Sequence, residues 1–128
     1  MAFVTSNPNP KGSYVGDCVV RALSIALNKK WRDVYMDLAI EGLTICDMPS
    51  SNQVWGEYLK SQGFQREYIP NTCPDCYTIR QFCNDNPKGL YILATGTHVV
   101  CAIDGNYFDT WDCGDEPIIY FWKKGSNE

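Results

Sequence analysis

The chain has 128 residues, of which 45 % are hydrophobic, and its formal net charge is −4. This length fits one domain with one core, so we predict a single domain over residues 1–128. Lysine and arginine are scattered along the sequence rather than gathered into a basic stripe. Because nucleic acids and anionic membranes need a concentrated basic face, the composition argues against both as partners.

The N-terminal sequence predicts a cytoplasmic protein. Residues 1–12 have no cationic segment followed by a long apolar core, as a signal peptide would. No apolar run approaches the roughly 20 residues that span a bilayer. The seven cysteines are an odd number, and in a chain without an export signal we expect them to be reduced.

The first two thirds of the chain have helical patterning. Residues 1–16 contain two Asn-Pro pairs and are typical of an extended arm. The segment DCVVRALSIALN predicts a helix with Asp17 as its N-cap and Cys18 in its first turn. This helix is apolar on almost every side, which is typical of a buried central helix. Further helices are predicted over residues 31–41 with Gly42 as the stop, over 53–61, and around 78–84.

After residue 89 the hydrophobic period changes from 3.6 to 2. The segments LYILAT, HVVCAI, NYFDTW and IIYFW predict strands, and FQREYI predicts a shorter strand earlier in the chain. Asp104-Gly105 is a strong two-residue hairpin signal. Helices followed by an antiparallel sheet predict an α+β fold.

Cys18 and His98 are the candidate nucleophile and base. A thiol in the first turn of a helix faces unpaired N–H groups and the positive end of the helix dipole, and both favour the thiolate. His98 is the single histidine and precedes an apolar strand. A thiolate–imidazolium pair is the usual activated state of a cysteine nucleophile.

Asp109 is the candidate residue that orients His98. If Asp104-Gly105 forms the turn, Ile103 lies opposite Asn106, and counting back along the hairpin puts Val100 opposite Asp109. Asp109 then shares a sheet face with His98 at a diagonal position. A carboxylate there would fix the tautomer of the ring and stabilise its imidazolium form.

The segments GDCVVRALSIAL and GTHVVCAIDGNYFDTWD resemble the papain-like cysteine peptidase superfamily in a compact bacterial or phage form, similar to bacteriocin-leader peptidases. The resemblance covers roughly residues 7–123. It implies a buried central helix, opened by the nucleophile, that packs on a C-terminal antiparallel sheet. It also implies hydrolysis of a peptide or isopeptide amide in a peptide or protein substrate, with no metal or organic cofactor.

The resemblance assigns Cys18 as nucleophile, His98 as base and Asp109 as the orienting residue. It further implies a Gln or Asn side chain before the cysteine that donates to the oxyanion. Papain-type spacing falls on Gly12, so Asn9 or Asn7 would have to supply this donor together with the backbone N–H of Cys18.

Two alternatives remain open from the sequence. One is a catalytically silent papain-fold binding module, which predicts a separated triad or a cleft filled by residues 1–16. The other is a zinc or redox protein built on the CxxC motif of Cys73 and Cys76, with Cys83 and a distant cysteine as further ligands. A third reading of the motif is simply two reduced thiols in a surface turn.

Overall fold

The computed structural model describes residues 2–70 and 73–124. The segment NTCPDC, residues 71–76, is typical of a turn in the sequence, and the structure describes it only from Cys73 onward. The α+β prediction is confirmed, since the described chain contains four helices and a six-stranded mixed sheet. The helices are α1 (Cys18–Leu27), α2 (Trp31–Ile45), α3 (Asn52–Ser61) and α4 (Ile79–Asp85). The strands are β1 (Phe3–Thr5), β2 (Phe64–Tyr68), β3 (Leu90–Ala94), β4 (Val99–Ile103), β5 (Asn106–Asp109) and β6 (Tyr120–Lys124).

The sheet is mixed rather than antiparallel throughout. Its strand order is β1-β5-β4-β3-β6-β2, and β1 runs parallel to β5 with Thr5 opposite Asp109. The arm predicted at 1–16 thus supplies one strand. A free edge of β5 presents unpaired N–H and C=O groups, and a short extended segment can satisfy them.

The hairpin between β4 and β5 has the predicted register. Ile103 lies opposite Asn106, and Cys101 lies opposite Phe108. Asp104 and Gly105 both adopt positive φ, 50° and 81°. That backbone is the one a two-residue type I′ turn requires, and it explains why Asp-Gly predicted the turn correctly.

The sheet is covered by helices on both faces. Alternate residues of β4 belong to two different cores: Val99 and Cys101 pack with α1, whereas Val100 and Ala102 pack with α4. Since successive strand residues point to opposite faces, the continuous apolar run in β4 is explained by burial on both sides. The predicted central position of α1 agrees with its contacts to β3, β4, β5 and α2.

The predicted end of α2 was wrong, whereas the predicted N-cap residue of α1 was correct. Gly42 does not stop α2, which continues to Ile45 and ends at Cys46 with φ 60°. A Cβ at Gly42 would lie 2.6 Å from the backbone oxygen of Asp47. Glycine is therefore needed at this position, because it leaves room for the backbone segment that crosses the helix there. Asp17 does occupy the N-cap position of α1, but its side chain makes no capping hydrogen bond. None of the helices in the described ranges has the length and apolar character needed to cross a membrane.

Candidate active site

His98 and Asp109 meet at one end of the β4–β5 hairpin. His98 immediately precedes β4 and Asp109 ends β5. The His98 Nε2 atom lies 2.5 Å from Asp109 Oδ2. Both residues are shielded, since the His98 side chain is 12 % exposed and that of Asp109 is 1 % exposed. The contact predicted from strand parity is therefore present.

A tight turn between β3 and β4 sets the position of His98. The Thr95 hydroxyl oxygen accepts hydrogen bonds from the backbone N–H of His98 (2.9 Å) and of Thr97 (3.3 Å). The Thr95 N–H donates to the His98 carbonyl at 2.8 Å. A threonine side chain can close a turn on itself in this way, and here it fixes the backbone that carries the imidazole.

Cys18 opens α1 and lines the same cavity as His98. Burial raises the pKa of this thiol, but the His98 contact, the Val99 backbone N–H and the nearby Arg21 charge outweigh it, and the net pKa is lowered. For His98, burial lowers the pKa, yet its contacts with Asp109, Cys113 and Cys18 raise the net value well above the ordinary one. Opposite shifts of this kind favour a thiolate–imidazolium pair.

A buried arginine lies behind the site. Arg21 Nη1 lies 2.6 Å from Asp109 Oδ1, and Arg21 Nε lies 2.8 Å from Asp17 Oδ1. Arg21 therefore bridges two carboxylates, and one of them is the partner of His98. One sequence feature pointed to this buried ion pair, namely a single arginine in an otherwise apolar helix.

The two asparagines expected at an oxyanion site lie in the arm before α1. The Asn9 side-chain amide donates to Asp17 at 3.3 Å, and the Asn7 amide donates to the Ser13 carbonyl at 3.3 Å. Neither is among the residues that line the cavity at Cys18. The first N–H groups of α1 have no partner within the helix and are the donors closest to Cys18 along the chain.

Cys113 is a second thiol at the same imidazole, and sequence reasoning missed it. Its sulfur, a His98 ring nitrogen and an Asp109 oxygen lie within 4.8 Å of one another. Burial raises the pKa of Cys113, and the adjacent Asp109 charge raises it further although His98 lowers it. Cys113 is buried and holds its proton, so it lacks the activation that Cys18 has. No periodicity in the sequence predicts that Cys113 lies beside His98.

These three residues are also the one group in the described chain whose donor atoms are close enough to hold a metal ion. His98 Nε2 and Asp109 Oδ2 already share a 2.5 Å hydrogen bond, and Asp109 Oδ1 is occupied by Arg21. A cation would have to break these contacts and sit beside the guanidinium. The donor set is therefore a poor fit for a metal.

A cavity of about 490 Å³ opens beside Cys18 and His98. It lies between α1, α2 and the turn before β4. Its walls are mainly apolar and include Val20, Leu38, Trp55, Ala94, Val99 and Tyr120. The Trp111 ring lies 5.2 Å from that of His98 and is half-exposed. Both the sulfur and the imidazole thus face a space that an organic substrate can enter.

The CxxC motif differs from its predicted state. Cys73 and Cys76 form a disulfide, so the expectation that they are reduced was wrong for this pair. A two-residue turn brings their Cα atoms to 4.2 Å, close enough for the bond. Cys83, the third zinc ligand predicted, belongs to α4 and its side chain is buried in the core. The disulfide lines a second cavity of about 540 Å³ that shares residues 95–97 with the first.

No protein-family model, curated protein or solved structure matches this chain. The described fold and site define it as an α+β protein in which Cys18 and His98 line a cavity and the buried Asp109 is hydrogen-bonded to His98.

Proposed function

We propose that the protein is a papain-like cysteine peptidase or amidase with Cys18 as nucleophile, His98 as base and Asp109 as the residue that orients the base. The observation that carries the proposal is the arrangement of these three side chains. Asp109 is hydrogen-bonded to the His98 imidazole, and Cys18 and His98 line one cavity that gives access to the sulfur. The lowered pKa of Cys18, set by His98 and Val99 against its burial, supports the same conclusion.

The reaction would proceed through an acyl-enzyme. The Cys18 thiolate attacks the amide carbon, and the carbonyl oxygen becomes an oxyanion that the N–H groups of the first turn of α1 stabilise. The His98 imidazolium gives its proton to the amide nitrogen, the C–N bond breaks and the amine leaves. Water then attacks the thioester while His98 takes its proton, which releases the acid and restores the thiolate.

The cavity favours a peptide or protein substrate with an apolar group beside the scissile amide. Of the two charged or basic side chains in its lining, Asp17 is engaged by Arg21 and Trp31, and His98 belongs to the proposed triad. The remaining wall is largely aliphatic and aromatic. An apolar side chain of the substrate would gain free energy by leaving water there.

The first test is selective alkylation. At pH 6 an ordinary thiol is ionised to less than about 1 %, whereas a thiolate paired with an imidazolium stays reactive. We expect iodoacetamide to label Cys18 at least about tenfold faster than the exposed Cys46, as measured by peptide mapping. In a peptide mixture, we expect new termini from the wild type and from Cys46→Ala, and none from Cys18→Ala.

Equal labelling of Cys18 and Cys46 would contradict the proposal. Rapid labelling of Cys18 without cleavage of any peptide would favour the silent binding module instead. That alternative predicts a separated triad or a cleft filled by the N-terminal arm. Two observations argue against the silent binding module. His98 and Asp109 are in contact at 2.5 Å, and the cavity beside Cys18 is open.

A further inference from the structure

We propose that Arg21 is a positioning residue of this site: it holds the Asp109 carboxylate in the orientation that His98 uses and offsets the charge of that carboxylate beside the Cys18 thiolate. The inference rests on the proposed function, because it assigns Arg21 a part in preparing the same nucleophile. It concerns a residue that touches Asp109 but not the reacting atoms.

The two oxygens of Asp109 have different hydrogen-bond partners. Oδ1 accepts from Arg21 Nη1 at 2.6 Å and from the Thr110 backbone N–H at 2.7 Å. Oδ2 is thereby left for His98 Nε2 at 2.5 Å. Two donors on one oxygen fix the rotation of the carboxylate, so Arg21 determines which oxygen faces the imidazole.

Arg21 is itself held in place by its neighbours. Its side chain is 10 % exposed, and its Nε lies 2.8 Å from Asp17 Oδ1 one helical turn away. The other Asp17 oxygen accepts from Trp31 Nε1 at 2.9 Å and from the Asn9 amide at 3.3 Å. A planar guanidinium can address two carboxylates at once, which a lysine ammonium does less well.

Arg21 also balances negative charge around the Cys18 sulfur. The titratable groups that face this cluster are Asp17 before α1, His98 at the start of β4, Asp109 at the end of β5 and Cys113 beyond it. Without Arg21, Asp17 would lose its cationic partner and Asp109 would keep only His98, so the added negative charge near Cys18 would disfavour its thiolate. With Arg21 present, its charge is among the causes that lower the pKa of Cys18.

The test is the pH dependence of Cys18 alkylation in the full chain, measured for the wild type, Arg21→Met, Arg21→Lys and Asp17→Asn. We expect Arg21→Met to raise the midpoint by about one pH unit, which is about tenfold slower labelling below the midpoint. Arg21→Lys keeps the charge but not the bridge to both carboxylates, so it should recover only part of the shift. Asp17→Asn removes a negative charge near the sulfur and should lower the midpoint.

The expected midpoint shifts have opposite signs in Arg21→Met and Asp17→Asn. If Arg21 had only a structural role, its replacement would lower the melting temperature and leave the midpoints unchanged. An unchanged midpoint in Arg21→Met with native near-ultraviolet circular dichroism would overturn the inference. If Arg21→Met does not fold, a midpoint in Asp17→Asn that rises or stays at the wild-type value overturns it equally. These midpoints can be measured whether or not peptides are cleaved, so failure here is distinct from failure of the proposed function.

Discussion

At the scale of single residues, the five free cysteines differ in what surrounds their sulfur atoms. Burial raises the pKa of Cys83 to about 11 and raises that of Cys101 further, since both lie among apolar side chains. Cys113 contacts His98 but also faces Asp109, and its pKa is raised. Cys18 combines the imidazole, a backbone N–H and a helix N-terminus, so its pKa is lowered. Position rather than residue type therefore selects the candidate nucleophile.

Replacing Asp109 by asparagine should weaken the thiolate–imidazolium pair. The amide carries no charge to stabilise the His98 imidazolium, and it cannot accept from both Arg21 and His98 as the carboxylate does. We expect Cys18 alkylation at pH 6 to slow by about tenfold or more, the effect of losing one neighbouring opposite charge. The exposed Asp115→Asn is the matched control and should react like the wild type. Equal rates for the two variants would show that the Asp109 charge has no part in activation.

At the scale of elements, α2 shows that packing of a neighbouring segment can outweigh a local helix-stop signal such as Gly42. Glycine at 42 was a reasonable helix stop, but the segment after the helix turns back over it, with the Asp47 oxygen and the Pro49 nitrogen close to where a Cβ would lie. This segment continues to Pro49 and Ser50, which line the cavity at Cys18. The glycine thus allows the chain to approach the helix closely and shape one wall of the site.

The substitution Gly42→Ala should therefore destabilise the protein despite the better helix propensity of alanine. Its Cβ would lie 2.6 Å from backbone, which side-chain motion cannot relieve, and we expect a loss of about 1–3 kcal/mol in urea unfolding. Gly56→Ala in α3 is the matched control, because its Cβ meets only the Trp122 side chain, at 3.3 Å. If Gly42→Ala proves no more destabilising than Gly56→Ala, the close approach is not structurally important.

At the scale of the whole molecule, one polar network ties distant parts of the chain to the site. Asn9 of the arm and Trp31 of α2 both donate to Asp17, which pairs with Arg21 of α1. Arg21 in turn reaches Asp109 at the end of β5, where β1 also pairs. Buried charges must be paired to be tolerated, so this network constrains how arm, helices and sheet assemble.

The network should make stability depend on acidity. Asp109 is buried, which raises its pKa, but His98, Arg21 and the Thr110 N–H lower the net pKa to about 2. A depressed carboxyl pKa stabilises the fold fully above the unfolded value near 4, and this stabilisation is lost as pH falls toward 2. We expect the free energy of unfolding of the wild type to drop by about 2 kcal/mol more than that of Asp109→Asn between pH 5 and 2. Parallel pH profiles in urea titrations would contradict this.

The sequence by itself determined the α+β class, the hairpin register and the helix opened by Cys18, because these follow from hydrophobic period, turn chemistry and helix start signals. It therefore also predicted that Asp109 would lie near His98. Only the tertiary structure decided that Arg21 and Cys113 join them, that residues 3–5 add a parallel strand, and that Gly42 lies within a helix. Those features depend on contacts between segments far apart in the chain, and local patterns carry no information about which segments will meet. The same reason explains why the Cys73–Cys76 disulfide was not predicted, since the pattern of a CxxC pair is the same in the reduced and the oxidised state.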